Sequence, residues 1–271
     1  MPELPEVEAI RRALAPELTG RTVESVHLLR PEIISYPDPA AFCQKLEKAE
    51  MAELIRRGKY LGIRMTDGSR LWLHFRMTGK LSCVRPEHPV PPHTHAVFSL
   101  DDGRELRFYD ARRFGRLWAL DAQDPETVVG LDRLGPEPCD VTADYLEQVL
   151  AGRKRSVKSA LTDQQTVAGL GNIYADEILY RARIHPCRPA GDLNHEELVQ
   201  IQSEMMPVLE EAVSRGVSCS RELFGEPIPR RQKAGWQVYE RRGKPCRRCG
   251  TPLEGGRIAG RSSVWCPNCQ K

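Results

Sequence analysis

The sequence predicts an α+β protein of several domains, on three observations. Apolar residues recur at helical spacing at the start and again beyond about residue 140, residues 22–120 carry short strand-like runs, and the C-terminal end pairs its cysteines. The expected division is 1–130 for a helix and antiparallel β-structure, 131–225 for a helical domain, and 226–271 for a loop and a small metal module.

In chain order, Val7, Ile10, Leu14 and Leu18 share one helix face after Pro5, and Gly20 stands where a helix end favours a left-handed residue. Strand-like runs follow at residues 22–29, 60–65, 70–75, 95–100, 105–109 and 115–120, with Asp67-Gly68 and Asp102-Gly103 reading as hairpin turns. Such a set builds an antiparallel sandwich or barrel. Gly135, Pro136 and Pro138 mark residues 131–139 as a linker. Beyond it, Thr142 caps a helix carrying Leu146, Val149 and Leu150, Ser156 caps a short second one, and Asn172 opens a third. Asn194 with Glu197 has the spacing of a capping box for a helix to about Arg215, with Pro207 expected to kink it. Residues 217–236 read as a loop.

At 271 residues and 40% apolar, the chain has material for a large core. Its net charge is only +3, but residues 226–271 hold 11 Lys and Arg against 3 Glu, so positive charge is gathered at one end. The opening Met1-Pro2-Glu3-Leu4-Pro5-Glu6-Val7-Glu8 carries three acids and no apolar run, which excludes a signal peptide, and no stretch approaches the roughly 18 apolar residues of a spanning helix. A soluble intracellular protein is expected, a compartment that also suits nine cysteines, an odd number for a disulfide framework.

The strongest motif is Cys246-x2-Cys249 followed by Cys266-x2-Cys269, whose spacing lets four thiolates close a tetrahedron around Zn²⁺. Four protein ligands leave no open coordination position, so the ion is expected to be structural, and so short a segment draws much of its folding energy from it. Basic runs recur at Arg56-Arg57-Gly58-Lys59-Tyr60, Arg112-Arg113-Phe114, Arg153-Lys154-Arg155 and Arg230-Arg231-Gln232-Lys233. Each alone reads as a solvated face; together they suit phosphates and stacked bases. Gly169-Leu170-Gly171 before Asn172 fits either a phosphate-holding helix N-terminus or a tight connection between helices.

Several segments together resemble the formamidopyrimidine-DNA glycosylase family. They are Pro2-Glu3-Leu4-Pro5-Glu6-Val7-Glu8, Arg57-Gly58-Lys59-Tyr60-Leu61, Met77-Thr78-Gly79, Arg112-Arg113-Phe114-Gly115, Asp163-Gln164 leading into Gly169-Leu170-Gly171-Asn172-Ile173-Tyr174, and the four-cysteine end with Gln270. The resemblance implies an N-terminal helix plus antiparallel β-sandwich, a helix-two-turn-helix domain and a C-terminal zinc finger with one structural Zn²⁺. It also implies a monomeric, cytoplasmic bacterial enzyme that excises oxidised purines from double-stranded DNA and nicks the strand.

On that resemblance, Met1 is removed and the amine of Pro2 attacks C1′ of the damaged nucleotide. A generic α-amino group has a pKa of about 7.7–8.0 against about 10.4 for Lys, and the helix dipole lowers it further, although a secondary amine is more basic than that reference. Glu3 matches the general acid that protonates the sugar ring oxygen, Lys59 the lysine of phosphate contact and β-elimination, and Arg261 the finger arginine of the second elimination. Met77, Arg112 and Phe114 match the residues inserted where the extruded base stood. His93, Arg153 and Asn172 match further DNA contacts, and Lys158 stands near the damaged-base pocket. By residue type alone, Pro2 and Pro5 serve helix initiation, Glu3, Glu6 and Glu8 favour a helix dipole, and Met77 and Phe114 fill a core.

Gly216-Val217-Ser218-Cys219-Ser220 replaces the family's usual Gly-Gly-Ser/Thr-Thr, a departure in the loop that covers the extruded purine. The sister family acting on oxidised pyrimidines usually begins Pro-Glu-Gly-Pro, where this chain has Leu4. A damage-binding zinc protein that does not cut is the rival from another class, and the joint presence of Pro2, Glu3 and Lys59 argues against it.

Overall fold

A computed structural model describes residues 2–218, 223–225 and 235–271. The basic run Arg230-Arg231-Gln232-Lys233 and most of the departing loop lie outside the described residues. The chain forms two compact units, Met1–Asp132 with Val213–Arg230, and Arg133–Ala212 with Arg231–Lys271.

In the first unit, α1 (Leu4–Leu18) carries Pro5 in its first turn and buries Val7, Leu14 and Leu18. A four-stranded sheet has the order β1 (Val23–Leu28), β7 (Thr94–Leu100), β8 (Glu105–Asp110), β6 (Gly79–Val84). A five-stranded sheet runs β2 (Ile34–Tyr36), β9 (Arg116–Leu120), β5 (Arg70–His74), β4 (Tyr60–Met65), β3 (Met51–Arg57). All pairs are antiparallel except β2 with β9. Val26, Phe98 and Leu106 of one sheet share a core with Leu54, Leu61, Leu73 and Leu117 of the other. Two separate sheets over one core, bridged at a corner by Thr22 and Glu50, make a sandwich and not a closed barrel.

One helix, α2, and three strands, β2, β3 and β6, had no counterpart here in the sequence expectation. α2 (Pro39–Leu46) is started by Asp38, whose carboxylate accepts from the amides of Ala40 and Ala41, with Pro39 at the first turn. β3 lacks clean alternation because its register shifts between Met51 and Glu53, and β6 begins on Gly79, a residue that weakens any strand signal.

In the second unit the caps are as expected. Thr142 accepts from Tyr145 N at the start of α3 (Ala143–Leu150), and Ser156 from Ser159 N at α4 (Val157–Leu161). α5 (Asn172–Arg181) follows the glycine-rich turn, and Asn194 and Glu197 exchange bonds of 2.9 and 3.0 Å before α6 (His195–Ser218). Leu146, Leu161, Tyr174, Ile178, Ile201 and Met205 build the core. A hairpin of β10 (Glu254–Ile258) and β11 (Arg261–Trp265) has a small core of its own, with Val238, Leu253, Val264 and two cysteines. Among the described residues no helix is long and apolar enough to cross a membrane.

α1 is locked to β3 by charge. Glu8 accepts from Arg11 at 2.8 Å, from Arg12 at 2.8 Å and from Arg56 at 3.2 Å. Burial alone raises the Glu8 pKa, but these guanidinium groups overcome it and hold the carboxyl at about 2. A depressed carboxylate stabilises the fold above its unfolded pKa and loses that contribution as pH falls towards the folded value. Glu8→Gln should therefore lower the thermal midpoint at pH 7 and cost visibly less at pH 3, a difference that paired melts at the two values would measure.

Candidate active site and nucleic-acid interface

Pro2 directly precedes the first turn of α1, half-buried, at the positive end of the helix dipole. Glu3 is buried; its amide donates to Glu6 Oε2 at 2.9 Å and its carbonyl receives Val7 N. The carboxyl group next to the chain's second residue is thus fixed by the start of the helix.

Lys59 lies in the tight turn between β3 and β4, made possible by Gly58 at φ +54°, and is only 6% exposed. α1 packs on both strands. Arg56 joins the parts: its Nε reaches Glu8 while its Nη1 donates to the Gly58 carbonyl at 3.2 Å. His74, at the end of β5, was not singled out by the sequence. Burial first, then the charges of Arg76 and Lys59, push its imidazole down to about 3, so it is neutral, with Nδ1 accepting from Arg76 N at 3.0 Å. A histidine one strand from a family-type lysine was the available signal, and the pairing of Tyr60 with His74 is what places it there.

Met77 and Phe114 are 43% and 47% exposed, so neither fills the core. The Arg112 guanidinium stacks 4.8 Å from the Phe114 ring centroid. His93 is exposed, in the loop before β7, with φ +65°. Exposed apolar side chains beside a stacked cation are suited to entering a base stack, not to a solvated strand face.

In the second unit Gln164 closes the glycine-rich turn, its Oε1 accepting from Gly169 N at 3.0 Å and its Nε2 donating to Leu170 O at 2.7 Å. Asn172 opens α5, and Arg153 is half-exposed in the turn after α3. Lys158 is 2% exposed; its Nζ stands 2.9 Å from Asp176 and donates to Ser262 O at 2.8 Å. Burial raises the Asp176 carboxyl to about 6 against the pull of Lys158, while Ser263 and Val264 N also donate to it. Lys158 thereby grips the strand that carries Arg261. Arg261 is exposed, one residue past a two-residue turn with φ +47° at Ala259 and +79° at Gly260. Both cations line a cavity of about 510 Å³ with Arg133, Asp163 and Gln164.

The sulfur atoms of Cys246, Cys249, Cys266 and Cys269 lie within 4.8 Å of one another, with Cys246–Cys269 at 3.9 Å and Cys249–Cys266 at 3.5 Å. A tetrahedral zinc with bonds of about 2.3 Å sets sulfurs about 3.8 Å apart, so the cluster fits the ion. Around it, the Tyr180 hydroxyl lies 3.2 Å from Cys246 Sγ, and Gln270 ties Cys266 N to the Ile184 carbonyl.

Residues 1–117 match the formamidopyrimidine-DNA glycosylase N-terminal domain, residues 134–223 its H2TH domain, and residues 243–271 the zinc finger found in FPG and IleRS. The chain belongs to the formamidopyrimidine-DNA glycosylase family. It is 46% identical to the formamidopyrimidine-DNA glycosylase of Moorella thermoacetica over 94% of both chains, and 46% identical to that of Symbiobacterium thermophilum over 100% of this chain and 89% of the relative. Among solved structures it resembles the Lactococcus lactis enzyme in complex with FAPY-dG DNA, at TM-score 0.89, 30% identity and coverage of 99% and 100%. A MutM complex with carbocyclic 8-oxo-G DNA gives 0.89, 31% and full coverage of both. Membership in this glycosylase family carries with it the β-sandwich, the helix-two-turn-helix, DNA as partner and one structural zinc.

Because the finger's own core is so small, chelation of the metal should unfold it and shift the emission of Trp265, beside Cys266, with one zinc released per chain. Stripped protein whose fluorescence and thermal unfolding match the untreated sample would contradict a structural role for the ion.

Proposed function

We propose that this chain excises 8-oxoguanine and formamidopyrimidines from duplex DNA with the amine of Pro2 and then cleaves the strand. The observation that carries it is the opening of α1, where residue 2 meets the positive end of a helix with the buried carboxyl of Glu3 next to it. Once Met1 is removed, the neutral Pro2 nitrogen attacks C1′, the glycosidic bond breaks and the base departs with a proton. Glu3 protonates the sugar ring oxygen as the ring opens in the same step, so base release depends on its proton and leaves a cationic imine. The imine acidifies C2′–H; Lys59 assists removal of that proton and the 3′ phosphate leaves. Arg261 assists the second elimination at the 5′ side, and a one-nucleoside gap remains.

A base inside a duplex is out of reach, so the target nucleotide is turned out of the stack. Met77 and Phe114 wedge into the space and Arg112 hydrogen-bonds the orphaned cytosine. His93, Arg153 and Asn172 make further contacts with the DNA, and Lys158 lies by the cavity that also contains Arg261. Residues 1–130, 131–225 and 226–271 divide the work into sugar chemistry, backbone grip and finger. The protein acts as a monomer in the bacterial cytoplasm.

A second reading, removal of oxidised pyrimidines, draws support from the Lactococcus lactis enzyme's complex with oxidised-pyrimidine DNA, to which this chain is 30% identical. Leu4 in place of glycine favours purines. Duplexes carrying 8-oxoguanine opposite cytosine, or an oxidised pyrimidine, should separate these when turnover is compared side by side. Glu3→Gln should slow base release by about 10²–10⁴-fold while lesion binding stays near wild type. Faster excision of the pyrimidine lesion would overturn the substrate assignment, and binding without any cleavage by the wild type would make the chain a damage binder.

A further inference from the structure

We propose that Asp110 is the positioning residue that sets, through its buried carboxylate, the loops carrying Met77 and the Arg112–Phe114 pair and, through its own backbone amide, the loop carrying His93. The inference rests on the reading that these side chains replace the extruded nucleotide; it adds the group that makes them act together.

Asp110 is the last residue of β8 and is 0% exposed. Its Oδ1 accepts from the Thr78 hydroxyl, next to Met77, and from Arg112 N at 3.2 Å. Its Oδ2 accepts from Gly115 N at 2.7 Å, next to Phe114. Its own amide donates to the His93 carbonyl at 3.0 Å, and its carbonyl meets His95 Nε2 at 2.7 Å. Thr78 Oγ1 accepts in turn from Arg112 N at 3.2 Å, closing a ring through two of the loops.

Two further observations agree. Each loop holds a non-glycine residue in the left-handed region, Arg76 at φ +51°, His93 at +65° and Arg113 at +59°, conformations that persist only where surrounding bonds impose them. A Cβ on Gly115 would lie 2.5 Å from the Phe108 ring and 3.2 Å from Asp110 Oδ2, so the approach of this loop to the carboxylate requires glycine. Burial raises the Asp110 pKa, but the donors from Thr78, Gly115, Arg112 and Phe114 outweigh it and the group stays below the usual carboxylate range. An ionised acceptor can satisfy all of these donors; an amide of the same shape presents N–H to at least one of them.

The chemistry of the sugar does not pass through Asp110, which separates its effect from that of the catalytic groups. An abasic nucleotide has no base to unstack, so its sugar reaches the amine without the wedge. The test is Asp110→Asn, with Thr78→Val as a milder variant that keeps the carboxylate. Three readouts are taken on the full-length zinc-loaded enzyme: single-turnover excision of 8-oxoguanine, strand cleavage at a preformed abasic site, and the stopped-flow fluorescence of 2-aminopurine beside the lesion.

Asp110→Asn should slow excision and the 2-aminopurine phase together by about 10- to 100-fold, the loss expected when a buried charge-assisted hydrogen bond goes, with abasic-site cleavage within about threefold. Thr78→Val should move the same two readouts in the same direction and less. Equal loss on both substrates, or no loss on either, would overturn the proposal. If Asp110→Asn does not fold, Thr78→Val decides alone by the same split. Wild-type enzyme inert towards the lesion would defeat the functional reading itself, an outcome visible before any variant is made.

Discussion

The start of the chain is held in place by Glu8. Its carboxylate collects three guanidinium groups, two from its own helix and Arg56 from β3, and Arg56 passes on to the Gly58 carbonyl just ahead of Lys59. The helix that presents Pro2 and Glu3 and the turn that presents Lys59 therefore share one charged node. The proposed nucleophile, at a chain terminus, would otherwise be among the most mobile groups in the protein. Here the terminus is tied to a sheet within two helical turns, and an error of about 1 Å in such a constellation costs about 10²-fold in rate.

The same device recurs elsewhere in the chain. Asp110 ties three loops of the sandwich. Asp176 takes Lys158, Ser263 and Val264 N, so that the strand bearing Arg261 is pinned to α5. Glu177, one residue on, accepts the amides of Gln237, Val238 and Tyr239 at 2.9 Å each and anchors the approach to the finger. Each of these carboxylates is buried with several donors, the condition under which a buried charge holds geometry without leaving an unsatisfied group. Rigid bonding of this kind is what lets short, strained loops present exposed residues such as Met77 and Phe114.

The sequence made different parts of this legible for different reasons. Helices with a polar cap and a periodic face were plain, as Thr142, Ser156 and Asn194 show, because both signals are local. The zinc site was plain because four ligands at fixed spacing have few other uses. Pro2, Lys59 and Arg261 become candidates only through the resemblance, since a proline before a helix or a lone basic residue has an ordinary explanation. The organising acids were invisible. Glu8 with Arg11 and Arg12 looks like a solvated helix face, and nothing local announces that Arg56, 48 residues on, completes the cluster. Asp110 reads as the end of a strand, and its partner Thr78 becomes a neighbour only when β6 pairs with β8. The return of the chain to the first unit at Val213 likewise leaves no mark in composition.

Everything in the mechanism follows from which nitrogen bonds to the sugar. The direct measurement is to reduce the reacting complex with borohydride, digest it, and locate the attached deoxyribose fragment by tandem mass spectrometry. The account predicts the modification on the α-nitrogen of a peptide beginning at Pro2. A fragment carried on Nζ of Lys59, or on a peptide that still begins with Met1, would contradict it.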